Sequence, residues 1–330
     1  MKRWLVTGGV GFIGSHLCRA LLERGELVRI LDDFSDAPYP TALKRANHAA
    51  LSRDFTGVEV VEGCVTNKEL ATRLAEESDA VIHLAGLAGV RPSFAAPARY
   101  AAVNIEGTAN LLDAAQRAGH DLFVFASSSS VYGNATPLPA VEEAPAIVPE
   151  SPYAASKRSA ELIASAMLRR TPRMRCAALR FFTVYGPRQR PEMAITTFLR
   201  AILADKPITV FGDGSMRRDF THVEDIVRGI LAATERAPEG FRAYNLGSGA
   251  PITLTGLVAA MGKAAATAPA VVHGDVPLGD VDATFADLTR AKAELGWAPR
   301  VGLDEGLATV VAWLRAEGRT LFDEARTEER

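Results

Sequence analysis

The chain has 330 residues, which at about 150 residues per domain suggests roughly two domains with ample material for a core. Apolar residues make up 48% and charged residues 23%, and 37 basic against 39 acidic side chains leave a net charge of −2; this excludes an overall electrostatic footprint for nucleic acid or an anionic membrane. Three cysteines (Cys18, Cys64 and Cys176) with no CxxC spacing point to neither a disulfide framework nor a zinc site; no metal is expected, and a reducing, cytoplasmic compartment is.

No apolar run approaches the roughly 20 residues needed to span a bilayer. The opening MKRWLVTGGVGFIGSH has the basic start and apolar stretch of a signal peptide, but Gly8, Gly9, Gly11 and Gly14 interrupt it and no small-residue cleavage site follows. Residues 4–7 read instead as a strand, 13–24 as a helix and 27–31 as a second strand. Residues 58–61, 80–84 and 122–126 read as further strands, with a helix over 103–118 between the last two. Several of these runs are continuously apolar, as parallel strands covered on both faces require. The alternation of β and α predicts an α/β fold with a doubly wound parallel sheet.

Residues 134–152 contain five prolines, which suit a long loop beside a site, or an interdomain linker. A helix over 153–170 and a strand over 177–183 follow. Beyond Tyr185 the pattern loosens, and a smaller domain is expected there. A helix over 220–234 and a strand over 243–246 predict a return to the first domain. The charge run 324–330 reads as a solvated end.

Strand, TGGVGFIGSH, then helix is the context of a phosphate-binding turn, with Gly8, Gly11, Phe12, Ile13 and Gly14 against the cofactor. Gly8 permits the turn, Gly11 lets backbone approach a pyrophosphate, and Gly14 lets helix and strand pack closely. The helix N-terminus supplies N–H groups and a positive dipole end. Asp32 lies 18 residues past Gly14, at the end of the second strand. Alone it reads equally as a turn aspartate; with the glycine turn it reads as the acceptor for both adenosine ribose hydroxyls, favouring NAD over NADP. Leu84, Ala85 and Gly86 are small where a strand would pass under the cofactor, although strand packing explains them nearly as well.

Tyr153 and Lys157 form YxxxK, four apart on one helix face. A neighbouring ammonium and a cationic nicotinamide would both favour the phenolate, which can then take a proton from a hydroxyl as hydride leaves the same carbon. Ser127, Ser128, Ser129 and Ser130 follow an apolar strand, at the end where open α/β sheets bind ligands. Together Ser, Tyr and Lys describe a hydroxyl-oxidising site.

TGGVGFIGSH, the strand-end Asp32, HLAG, SSSSVYG and YAASK together resemble the extended short-chain dehydrogenase/reductases that epimerise or dehydrate sugar nucleotides. The resemblance covers nearly the whole chain. It implies a Rossmann-type sheet with a smaller α/β substrate domain, NAD as cofactor and a homodimer packed through the helices around Val103 and Tyr153. By motif, Ser128 is the partner of the substrate hydroxyl, Tyr153 the acid/base, Lys157 its activator and holder of the nicotinamide ribose, and Asn104 the asparagine near the cofactor. Cys64 in EGCVTN departs from the family, which usually has Gly-Asp there to help hold the adenine. Ser129 and Ser130 stand where dehydrating and decarboxylating relatives carry carboxylates, which implies oxidation and re-reduction alone.

FFTVYGPRQRPEMA, GSMRRDFTHVEDIVRGI and GDVDATFAD resemble the UDP-glucuronate 4-epimerases most closely. That resemblance implies a UDP-sugar substrate contacted by Ser128, Ser129, Ser130 and Thr183, with Arg218 at the diphosphate and Asp280 at the uridine. Arg190 meets the carboxylate or shapes the pocket. It also implies domains of 1–186 with 217–247 for NAD, and 187–216 with 248–330 for the UDP-sugar. The expected reaction is C4 epimerisation of UDP-glucuronate; a neutral UDP-glucose/UDP-galactose epimerase and a non-catalytic NAD-binding regulator are the alternatives.

Overall fold

Continuously apolar strands are stable only when both faces are covered, and here they line up as neighbours. In the computed structural model, which describes residues 1–36, 40–144, 147–274, 283–318 and 320–322, the first strands are β1 (Arg3–Thr7), β2 (Leu27–Asp32), β3 (Val58–Glu62), β4 (Ala80–His83), β5 (Leu122–Ser128) and β6 (Arg175–Phe181). The next four strands are short and lie outside this sheet: β7 (Thr183–Tyr185), β8 (Ile208–Phe211), β9 (Arg217–Arg218) and β10 (Phe220–His222). The chain then returns to it with β11 (Gly240–Leu246), giving a seven-stranded sheet in the order β11-β6-β5-β4-β1-β2-β3. Every pairing in it is parallel. The order reverses between β1 and β4, the switch point at which doubly wound sheets open a ligand crevice. The fold is therefore α/β and doubly wound, as the alternating pattern predicts, and Rossmann-type, as the resemblance implies.

Alternate residues of each strand face opposite layers. Trp4 and Val6 of β1 pack on one side with α1 (Phe12–Glu23), while Leu5 packs on the other. Between β2 and β5 the chain adds α2 (Thr41–Asp54), α3 (Lys68–Glu76), the short α4 (Val90–Ala95) and α5 (Pro97–Ala101), and α6 (Gly107–Arg117). Leu74 of α3, Leu111 of α6 and Ala160 of α7 (Pro152–Met167) fill the Leu5 side. A separate apolar cluster joins Leu199 of α8 (Ala194–Ile202), Val210 of β8, Met261 of α10 (Leu254–Ala265) and Val310 of α12 (Leu303–Trp313). Between these helices come α9 (Val223–Arg236) and α11 (Thr289–Leu295), which cover the α1 side through Ile230 and Leu295. Two further short strands also lie outside the large sheet: β12 (Ile252–Thr253) pairs antiparallel with β9, and β13 (Val271–Gly274) pairs parallel with β8.

Three elements differ from the sequence expectation. The helix over 103–118 is a π turn at Ala102–Glu106 followed by α6, so the helix carries a bulge at Asn104. Residues 220–222 form β10, not the first turn of a helix, because Phe220 and Thr221 pair with Thr183 and Val184 of β7. For the same reason the strand over 177–183 ends at Phe181, and Thr183 belongs to β7. The proline-rich loop folds back onto the protein: Ala140 N donates to Phe285 O at 2.8 Å, and Leu138 and Ala140 line the cavity described next.

Candidate active site

A cavity of about 970 Å³ opens at the carboxyl ends of the central strands. The glycine turn residues Gly8, Gly11, Phe12, Ile13 and Gly14 line one end. Gly11 precedes α1 as its cap and makes no side-chain bond there, so the positive end of the helix dipole is left for an anion. Asp32, at the end of β2, lines the same end at 5% exposure. Its carboxylate accepts from Phe34 N at 3.0 Å and from Lys44 Nζ at 3.4 Å. Burial pushes the Asp32 carboxyl above its ordinary range, and Lys44 and the Phe34 N–H oppose that. Lys44, buried on α2 and also 3.6 Å from Asp33, was invisible in the sequence because nothing local in TALKRANH sets this lysine apart from a surface one. Half-buried Cys64 lines the cavity nearby, its Sγ accepting from Thr66 Oγ1 at 3.1 Å.

Leu84, Ala85 and Gly86 form the floor after β4. A Cβ on Gly86 would stand 2.9 Å from Asn104 Oδ1 and 3.0 Å from Lys157 Nζ, so the absence of a side chain lets both groups come up to the backbone. Asn104 itself is buried behind that wall. It accepts from Leu87 N at 2.8 Å and donates to Leu87 O at 3.0 Å and Ser156 Oγ at 2.9 Å, tying the floor to α7.

α7 starts where Ser151 Oγ caps Ala154 N at 3.2 Å and Pro152 occupies the first turn. That start presents Tyr153 and Lys157 to the cavity, opposite Ser128, Ser129 and Ser130. Ser128 Oγ accepts from Ser130 N at 3.1 Å, which fixes the tight turn at the end of β5. Burial pushes the Tyr153 phenol above its ordinary value; a hydrogen bond with Ser128 and the Arg190 guanidinium pull the other way. Burial pushes the Lys157 ammonium down to about 8, and the Glu161 carboxylate opposes it. Lys157 Nζ donates to Ala126 O at 2.9 Å. The Tyr100 ring meets Tyr153 edge-on at 6.2 Å.

Thr183, Arg190 and Arg218 line the rest of the cavity, towards β8 and β9. Arg190 pairs with Glu192 at 3.0 Å. Beside Arg218, the buried Asp219 carboxylate accepts from Ser248 N at 2.6 Å, Ser248 Oγ at 2.7 Å, and Gly249 N and Ala286 N at 3.1 Å. This knot holds the wall formed by 283–285 in place. Asp280 lies outside the described residues. The structure thus gathers the glycine turn, Asp32, the 84–86 floor, the three serines, Tyr153, Lys157, Thr183, Arg190 and Arg218 around one cavity, with Asn104 behind it. Lys44, Glu161 and Asp219 carry no local motif, and sequence reasoning missed them.

Residues 4–247 match the family model described as the NAD dependent epimerase/dehydratase family. A UDP-glucuronate 4-epimerase of Thermodesulfobacterium geofontis is 37% identical over 318 residues, covering 95% of this chain and 96% of that protein. The crystal structure of a Bacillus cereus UDP-glucuronic acid 4-epimerase in complex with UDP-glucuronic acid and NAD is 33% identical, with a TM-score of 0.87, covering 95% of this chain and 99% of that one. A Thermotoga maritima UDP-glucose 4-epimerase with UDP-glucose is 32% identical at the same TM-score of 0.87, over 97% of this chain and 99% of that one.

Proposed function

The chain belongs to the NAD dependent epimerase/dehydratase family, and on that premise we propose that it is an NAD-dependent UDP-glucuronate 4-epimerase. The observation that carries this is Tyr153, whose phenol both Ser128 and Arg190 pull down, in a cavity where 128–130 are all serine. The cofactor end fits NAD: a helix start without a side-chain cap suits the pyrophosphate, and a buried carboxylate suits the ribose and repels a 2′-phosphate. NAD held there would supply the acceptor and donor of the C4 hydride.

The chain's own residues do the rest. Tyr153 takes the proton from O4 of UDP-glucuronate and later gives it back, giving UDP-galacturonate. Ser128 holds that oxygen, and Lys157 favours the phenolate and holds the nicotinamide ribose. Arg218 keeps the diphosphate anchored while the 4-keto sugar turns; a guanidinium fork suits that task. The oxidised sugar carries its carboxylate beta to a ketone and loses CO2 when the carboxylate stands perpendicular to the carbonyl. Ser129, Ser130, Thr183 and Arg190 hold it away from that orientation. The NAD domain comprises 1–186 and 217–247 and the UDP-sugar domain 187–216 and 248–330, with Asp280 at the uridine.

The protein works in the cytoplasm as a homodimer joined through the Val103 and Tyr153 helices. Leu162, an apolar side chain 55% exposed on α7, supports that surface. Among the described residues no helix is long and apolar enough to cross a membrane.

A neutral UDP-hexose is the second reading, favoured by the Arg190–Glu192 pair, which leaves less positive charge for a uronate. Incubation of the purified protein with UDP-glucuronate and catalytic NAD tests both. The expected outcome is UDP-galacturonate with no net NADH. A UDP-pentose product, or faster turnover of UDP-glucose, would overturn the uronate reading.

A further inference from the structure

Beneath the proposed site lies a buried ion pair whose only role so far is the Glu161 charge that opposes the fall of the Lys157 ammonium. Glu161 sits one turn beyond Lys157 and two beyond Tyr153 on α7, at 0% exposure. Its carboxylate accepts from Arg180 Nε at 2.9 Å, Arg180 Nη2 at 2.8 Å, Arg158 Nη1 at 2.9 Å and Ser127 Oγ at 2.6 Å. Arg180, 1% exposed on β6, reaches on to Tyr132 Oη at 2.9 Å, which donates to Asn245 Oδ1 on β11 at 2.6 Å. The network therefore joins the proposed catalytic helix to three adjacent strands of the sheet.

Replacing a buried ion pair with well-packed apolar residues is often neutral or stabilising, so stability alone does not explain two charges in this place. Ser127 does. It stands between Ala126, whose carbonyl receives the Lys157 ammonium, and Ser128, which lines the cavity with Tyr153 and pulls its phenol down. Side chains alternate along a strand, so Ser127 turns away from Ser128 and is taken by Glu161. The end of β5 is thereby held against the same helix that carries the acid/base pair.

We propose that Glu161 is a positioning residue for the proton transfer, clamping the end of β5 to α7 through Ser127 and so setting Ser128 against Tyr153 and Ala126 against Lys157. The inference rests on the reading of Ser128, Tyr153 and Lys157 as the reacting groups. Arg180 and Arg158 hold the clamp in place, and Ser127 transmits it.

Steady-state kinetics of the NAD-loaded protein with UDP-glucuronate test it, with rates expressed per folded molecule. Ser127→Ala removes the link without stranding a charge. It is expected to lower kcat roughly tenfold with KM within about twofold, since misplacement by 1 Å can cost about a hundredfold. Glu161→Gln lowers kcat at least as far, and Ser127→Ala adds nothing to it, because both act through one contact. Wild-type kcat in Ser127→Ala and Glu161→Gln, with only a lower melting midpoint, would overturn the proposal. So would a raised KM at constant kcat. If Glu161→Gln fails to fold, Ser127→Ala alone decides. Tyr153→Phe separates the two levels: it abolishes turnover if the site reading holds, and activity in that variant sinks the site reading itself.

Discussion

Lys157 Nζ donates to the main-chain carbonyl of Ala126 at 2.9 Å, which ties the ammonium to the strand that carries Ser128. The groups that face it and Tyr153 come from several elements: Glu161 from the same helix acts on Lys157, Ser128 from β5 and Arg190 act on Tyr153, while His83 of β4 feels the Lys157 charge and the Tyr100 ring packs on Tyr153. Burial pushes the phenol up and the ammonium down to about 8, so the ammonium is the first of the two to lose its proton. The reactive form is phenolate with ammonium, one proton short of the fully protonated pair. As pH rises, that first proton leaves near pH 8 in the ligand-free protein, and a cationic nicotinamide moves the step lower. The kcat/KM for UDP-glucuronate is therefore expected to climb with pH along an acid limb at or below about 8, then fall when the second proton leaves. A profile flat from pH 6 to 9 would contradict this.

Packing at the glycine turn yields a second expectation. A Cβ on Gly14 would lie 2.1 Å from Gly8 O and 2.7 Å from Gly9 Cα, both backbone atoms that cannot swing aside. Gly14→Ala must push α1 away from the turn, at an overpacking cost of about 3 kcal/mol or more. NAD binding, measured by calorimetry, should weaken by at least an order of magnitude, with a lower melting midpoint. Gly25→Ala is the control. Nothing stands within 4 Å of its Cβ, and its φ of +76° costs only about 1–2 kcal/mol in stability. Equal NAD affinity in the two variants would remove the steric argument.

The contrast between those glycines and Glu161 shows what sequence could reveal. The glycine turn, Asp32 and YxxxK are local: their spacing alone places them on one turn, one strand end and one helix face. Strand positions follow from the apolar runs for the same reason. Lys44, Glu161 and Asp219 matter through partners distant in sequence: Val10 O receives Asn47 of the Lys44 helix, Arg180 meets Glu161, and Ser248 and Ala286 meet Asp219. Nothing in a window of ten residues encodes such a meeting. The start of the 220–234 segment was misread similarly. Its helix periodicity is real from Val223 on, but Phe220–His222 answers to a partner strand at Thr183–Tyr185.

His83 offers a test of the buried layer under the cofactor floor. At 2% exposure its Nδ1 lies 2.7 Å from Thr7 Oγ1 and its Nε2 3.0 Å from Thr108 Oγ1. Burial, with a smaller contribution from the Lys157 ammonium, pushes the imidazole down to about 3. The unfolded chain binds the proton near pH 6.5, well before the folded protein does. Stability from this group is therefore complete above about pH 6.5 and is lost progressively as pH falls toward about 3. Between pH 7 and pH 5 the loss is roughly 2 kcal/mol. Urea unfolding of the wild type and of His83→Asn at both pH values isolates it. His16, pushed down to about 4, destabilises both proteins alike on acidification and cancels in the comparison. The variant starts less stable at pH 7, having lost hydrogen bonds and volume, but should lose about 2 kcal/mol less than the wild type on going to pH 5. Equal losses in the two proteins would mean that burial does not lower the proton affinity of His83 in the folded state.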